Sequence, residues 1–217
     1  MKQVIFGLVL ALGLTARAEA ASPVAVDLHV GTTGAGAQVE YFVNGYIAGR
    51  VSGDWLHVSH GFSTSDAAYS GRADLATVGV FGDLHPFKTG WLVSAGVFQG
   101  ERKASLTGAP TGDVTINGVP LTPAQLGSVQ GQARLARTSP FVGLGWDSAQ
   151  HATSGLTFRA LAGAAFGGPK VSLTDQGPMA GLAAVQAWAA KEQADAQSKV
   201  NALQAYPVVQ LGLGYRF

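Results

Sequence analysis

The last twelve residues, Tyr206 to Phe217, read YPVVQLGLGYRF and leave few folds open. Counted back in twos from the carboxyl end, Phe217, Tyr215, Leu213, Leu211 and Val209 are apolar or aromatic. Between them stand Arg216, Gly214, Gly212 and Gln210, which are polar or small. Successive side chains point to opposite faces of a strand, so this stretch predicts a β-strand with one apolar face and one polar or small face. A soluble sandwich strand shows the same alternation, but it rarely stops on an aromatic residue at the carboxyl end.

The other end carries a different signal. Lys2 precedes an apolar region, Val4 to Leu14, and both Ala16-Arg17-Ala18 and Ala18-Glu19-Ala20 fit the small-x-small cleavage pattern, so residues 1–20 read as a secretory signal. That region spans 11 residues, too short to cross a hydrocarbon core of about 30 Å as a helix. No other segment is apolar for long enough to do so. A mature chain, residues 21–217, that enters a membrane is therefore left with a closed barrel, in which every backbone group is paired. The length, 217 residues, fits one domain. With 12% charged residues and a net charge of +1, the chain lacks the basic face that a nucleic-acid partner requires. The lack of cysteine excludes a disulfide framework, a thiolate metal site and a lipidated cysteine anchor.

The alternation seen at the end recurs along the chain. Val24, Val26, Leu28 and Val30 alternate with Ala25, Asp27 and His29; Ala37, Val39, Tyr41 and Val43 alternate with Gln38, Glu40 and Phe42. Asn44-Gly45 predicts a type I′ hairpin turn. A third strand follows from Tyr46 to about Val58, a loop from Ser59 to Gly71, and a fourth strand from Arg72 to Leu84 whose alternation is too poor to assign faces. After the turn His85–Gly90, Trp91, Val93, Ala95 and Val97 face away from Leu92, Ser94, Gly96 and Phe98. Ala104 to about Leu135, with its prolines and glycines, reads as a long loop with a small hairpin around Thr115–Gly118. Strands six and seven run from Pro140 to Asp147 and from Leu156 to Phe166, joined by a turn at Ser148–Ser154, and Gly167-Gly168-Pro169 breaks the second of them. Residues from Gly177 to Ala205 change character, and apolar residues at helical spacing predict one helix at about 179–204. The expected fold is all-β: an eight-stranded antiparallel transmembrane barrel with one helix in the last outer loop. Short turns on one side and long loops on the other match that architecture.

With these strands and this terminal segment, the mature chain resembles small eight-stranded outer-membrane barrels of bacteria, of the OmpA-transmembrane and OmpW-like kind, and its motifs LHPF (Leu84–Phe87), PFVGLGW (Pro140–Trp146) and YPVVQLGLGYRF are similar to those of a group of mostly uncharacterised bacterial outer-membrane barrel proteins. Gln210, Gly212, Tyr215 and the terminal Phe217 are similar to the signal that the barrel-assembly machinery reads in that group. The resemblance implies location in the bacterial outer membrane and contact with its lipid and lipopolysaccharide. The reading departs from OmpA-like proteins in expecting no peptidoglycan-binding domain after the barrel.

Parity sorts the candidate site residues. Trp55, Val93, Val142, Leu144, Trp146, Phe158 and Leu213 are expected to face lipid. Asp27, His29, Glu40, Arg50, Asp54, Asp147, Arg159 and Arg216 are expected inside, where an eight-stranded barrel is just wide enough for side chains to fill it. A polar network of Glu40, Arg50, Asp54, Arg159 and Arg216 is expected across the lumen, because an unpaired buried charge is costly. It predicts a plugged interior and a structural or interaction role. The alternatives are a passive path for small molecules, hydrophobic ones among them, and a lipid-modifying enzyme. The enzyme reading rests on His57 and Ser59, which resemble the His-x-Ser pair of lipid A deacylase barrels, but a third, orienting carboxylate is not identifiable in the sequence. No catalytic residue, metal site or cofactor is assigned, no small-molecule ligand is identifiable, and glycine-rich Gly31–Gly36 does not precede a helix as a phosphate loop would.

Overall fold

The computed structural model describes residues 22–64, 67–116, 119–178, 180–201 and 204–217. The secretory signal read at residues 1–20 lies outside them. In chain order the elements are β1 (Val24–Gly31), β2 (Gly34–Phe42), β3 (Ile47–Ser63), β4 (Ala67–Leu84), β5 (Trp91–Pro110), β6 (Val114–Ile116), β7 (Val119–Leu121), α1 (Pro123–Leu126), β8 (Val129–Arg134), β9 (Thr138–Asp147), β10 (Gly155–Phe166), β11 (Lys170–Asp175), α2 (Ala183–Val200) and β12 (Ala205–Arg216). Among the described residues, eight strands close a ring in the order β1-β2-β3-β4-β5-β9-β10-β12, and β12 returns to β1. Every neighbouring pair is antiparallel. The protein is an eight-stranded antiparallel transmembrane β-barrel. The two ends of the wall are stitched directly: Ser22 N donates to Phe217 O (2.7 Å) and Phe217 N to Val24 O (3.2 Å).

The period-two pattern translates into an apolar outer band. Trp55, Val93, Val142, Leu144, Trp146, Phe158 and Leu213 are all exposed on the outer wall. Trp91 and Trp146 face each other across β5 and β9 with rings nearly perpendicular, 5.6 Å apart, at the end of the band where interfacial aromatics belong. On β4, Val78, Val80 and Leu84 are exposed while Thr77, Phe81 and Asp83 are buried, which settles the faces that its composition left open.

Three local expectations are corrected. Asn44-Gly45 does not form a two-residue type I′ turn. Asn44 Oδ1 accepts the backbone N–H groups of Tyr46 (2.8 Å) and Ile47 (3.0 Å), so the side chain replaces the carbonyl that a tight turn would use. Neither Asn44 nor Gly45 takes positive φ. Second, Ser59–Gly71 is no open loop: β3 and β4 stay paired out to Ser63↔Ala68, with Phe62 stacked on Tyr69 at 5.1 Å. Third, most of Ala104–Leu135 is paired. β5 continues to Pro110, β8 joins its flank, and β11, not anticipated, pairs with β8. The small hairpin is present as β6 and β7. These segments keep a hydrogen-bond ladder without alternation because apolar residues such as Phe62, Tyr69 and Leu106 are mixed with polar and small ones on both faces, so no parity pattern marks them as strands.

Helix α2 is shorter than the expected 179–204, although Met179, Ala202 and Leu203 lie outside the described residues. It guards the outer edge of β11. Gln197 Oε1 accepts from Val171 N (2.7 Å) and Gln193 Oε1 from Leu173 N (3.1 Å). Two residues of strand rise about 6.7 Å and four residues of helix about 6 Å, so the paired glutamines match alternate strand amides. They satisfy donors that would otherwise form an open sheet edge.

Two outcomes are expected. Leu144→Arg places a cation on the lipid face and should cost about 2–4 kcal/mol near midplane, with Leu144→Met near neutral, in urea unfolding from vesicles. Gly143→Ser is no neutral control, since a Cβ there lies 2.6 Å from the Phe141 ring. In a Gln193→Ala/Gln197→Ala variant, amide hydrogen exchange should speed up at Val171 and Leu173 while barrel stability stays unchanged; unchanged exchange would remove the edge-capping role.

Candidate functional site

The lumen is filled in two levels. In the first, Arg159 of β10 sits among acids brought from three other strands. Its Nη1 donates to Glu40 Oε2 on β2 (2.7 Å) and Asp147 Oδ2 on β9 (3.0 Å), and its Nη2 to Asp83 on β4. Arg50 of β3 shares Asp83, donating from Nε at 2.9 Å, and its Nη groups reach Gln38 (2.9 Å) and Ser94 (3.1 Å). The guanidinium carbon of Arg50 also lies 4.1 Å over the ring of Phe81. Glu40 is 0%, Arg50 2% and Arg159 3% exposed. Charge-assisted hydrogen bonds of this kind offset the desolvation of both partners only where several are made at once.

Arg50 also touches the second level through Phe81. Phe81, Phe98 and Phe141 pack edge to face at 4.9–5.6 Å, with Leu92, Leu161 and Val208 around them. Inward glycines make room for these rings. A Cβ at Gly79 or Gly96 falls 2.3 or 2.5 Å from Phe81, and one at Gly163 2.7 Å from Phe141. On the facing side of the barrel, Asp54 Oδ1 meets His29 Nε2 (2.7 Å), Thr33 Oγ1 (2.7 Å) and Gln210 Nε2 (3.1 Å), while Ser52 donates to Oδ2 (3.1 Å). Toward the short turns, His85 Nδ1 donates to Thr89 O (3.2 Å), and burial lowers the pKa of its imidazole from the usual histidine value.

The five residues expected to form one network are thus divided. Glu40, Arg50 and Arg159 are brought together: the two arginines share Asp83, and Arg159 also holds Glu40. Asp54 is not among them: it lies four residues beyond Arg50 on the same face of β3, about 13 Å along the strand. Among the described residues, Arg216 is in no ion pair with a carboxylate. It donates to the carbonyls of Ser22 (3.2 Å) and Ala149 and stacks over Phe42 at 4.2 Å, where chain ends and turn leave carbonyls to satisfy. Asp83, the acid shared by both arginines, was invisible to parity because β4 alternates poorly. The turn that joins Leu84 to Trp91, both exposed on the outer wall, was the signal that would have placed it. Of the terminal motif, Gln210 is a lumen residue, Gly212 lies in the row of His29 and Arg159, and Tyr215 packs edge to face on Phe217 at 5.2 Å.

Outside the barrel, His57 Nδ1 and Asp74 Oδ1 are 2.5 Å apart. The carboxylate that the sequence did not reveal is therefore present, but Ser59 makes no hydrogen bond to the imidazole among the described residues. Nor do the described residues contain a group of three or more His, Cys, Asp or Glu side chains that could hold a metal ion.

No protein-family model matches the chain, and no curated protein matches it. Among solved structures, it resembles the crystal structure of Acinetobacter baumannii CarO2, with 19% identity, a TM-score of 0.61, and coverage of 92% of this chain and 100% of that one. It also resembles A. baumannii CarO, with 20% identity, a TM-score of 0.56, and coverage of 90% and 98%. At this identity the likeness is one of fold.

Asp83→Ala removes the counter-ion of two buried guanidiniums and should cost about 3–5 kcal/mol. Glu40→Ala should cost less, because Arg159 keeps Asp83 and Asp147. Urea unfolding of the two variants in vesicles checks the order; equal losses would mean that Arg50 and Arg159 do not share Asp83.

Proposed function

We propose that this chain is a bacterial outer-membrane barrel with a structural or interaction role, its lumen closed to solutes and its working surface the tall outer wall of β3, β4, β5, β8 and β11 with α2. The observation that carries the reading is Arg159, held at once by carboxylates from β2, β4 and β9. A guanidinium so placed ties walls that an aqueous bore would keep apart. The phenylalanine cluster beside it gives the interior a second closure. The secretory signal and the terminal aromatic pattern support the location, and in this reading Gln210, Gly212, Tyr215 and Phe217 are presented to the barrel-assembly machinery. The exposed apolar band meets membrane lipid and lipopolysaccharide.

A passive path for small molecules calls for a bore or a gap between strands. Against it stand the pairing around the whole ring and the burial of the inward side chains. Against an enzyme stands the missing contact between Ser59 and His57.

The test joins location to conductance. The mature protein should fractionate with the outer membrane, shift in gel mobility on boiling, and pass no steady single-channel current in planar bilayers. Large, steady currents from folded protein would replace the closed lumen with a transport path.

A further inference from the structure

Where the barrel wall leaves the apolar band between β8–β9 and β10–β11, its two sides fall out of step. From Phe141↔Ala165 to Arg134↔Lys170, one side advances from 141 to 134, seven residues, and the other from 165 to 170, five. The two surplus residues are taken up around Leu135–Arg137, facing the break at Gly167–Pro169. A cleft of about 540 Å³ opens there, lined among others by Gln132, Arg134, Arg137, Gly168, Lys170 and Ser172.

Its charge is one-sided. Arg134 stands directly opposite Lys170 on β11 and directly opposite Lys103 on β5, so three cations occupy one row of three strands. Like charges in directly opposed positions are destabilising. Of the ion pairs among the described residues, none includes Arg134, Arg137, Lys170 or Lys103, and no carboxylate lines the cleft. Asp74, opposite Lys103, is engaged by His57, and Glu101 on the same face of β5 is in no ion pair. Arg134, Arg137 and Lys170 are exposed and free to take a ligand. Two guanidinium forks and an ammonium around a cleft with a hydroxyl and an amide are the donor set that grips a phosphate group.

The height of the cleft narrows the source of that phosphate. On this wall the last apolar row is Val97↔Pro140; Gln99↔Thr138 follows, then Glu101, and the cations of Lys103↔Arg134 stand one row further on. If the protein sits in the membrane as proposed above, they stand at the level of the outer-leaflet headgroups. We propose that the cleft binds a phosphorylated lipid headgroup of the outer leaflet, the phosphate being held by Arg134, Arg137 and Lys170, with Lys103 adding to the field.

The experiment measures lipid retained by folded protein from mixed detergent micelles, by native mass spectrometry. The probes are bis-phosphorylated lipid A, its dephosphorylated form, and inorganic phosphate alone. Wild type should retain the phosphorylated lipid well above the other two. Arg134→Ala/Lys170→Ala, whose side chains are exposed and whose folding is checked by gel shift, should weaken that retention by about tenfold or more, as expected for losing two charge-assisted contacts. Equal retention of the phosphorylated and dephosphorylated lipid, or no change in the double variant, overturns the site. Inorganic phosphate binding as tightly as the lipid overturns the lipid source. These results are separable from the membrane reading, because a protein that fractionates with the outer membrane but fails this test loses only the site.

Discussion

The guanidinium of Arg159 is the group on which the barrel's interior depends. A buried cation is tolerated only when its partners are close, several and correctly oriented. Here they arrive from β2, β4 and β9, so the condition that satisfies one side chain also fixes the distance across the lumen. Arg50 extends the constraint to β3 and β5 through Asp83 and Ser94. The Asp54 group does the same for β1, β3 and β12 through His29 and Gln210. A wall held by backbone ladders alone would be free to ovalise; these contacts oppose it from inside.

The ionic belt and the aromatic cluster are parts of one solution to a narrow interior. Eight strands leave room for side chains and little else. Large rings fit only where the wall itself is thin, which is why Phe81 and Phe141 lie against Gly79, Gly96, Gly143 and Gly163. The glycine content of the chain thus has a structural use inside the barrel, whereas its outer face spends the same wall on valine, leucine and tryptophan against lipid.

Much of this was legible in the sequence because a membrane barrel imposes one periodicity on both of its faces. Lipid selects apolar residues at one parity and the lumen tolerates polar ones at the other, so β1, β2, β9, β10 and β12 announce themselves. Legibility ended at two points. Parity says which residues point inward, but not at what height. Strands tilt, so hydrogen-bonded rows climb around the barrel. Arg159 and Asp54 share such a row, through Gly212, His29 and Gly36, yet Arg159 bonds Glu40 and Asp83 instead. On β4, moreover, small and apolar residues occupy both faces, which hid Asp83.

Beyond the lipid, periodicity is no longer selected, and strands such as the outer parts of β3, β4 and β5 look like loops on paper. Their persistence then raises the problem that a barrel otherwise abolishes, a free sheet edge. The ring has none within the membrane, but the taller wall ends at β11 on one side and at β3 beyond Trp55 on the other. Helix α2 lies against that edge, and its glutamines at i and i+4 meet strand amides at i and i+2. A helix with so weak an apolar stripe would be marginal by itself, since most helical stability in proteins comes from packing. It is retained because it completes the hydrogen bonding of a strand whose own alternation gave no warning of it. At β11 the outer wall therefore does not offer its edge to another chain, whereas β3 beyond Trp55 is paired on one side only, with β4.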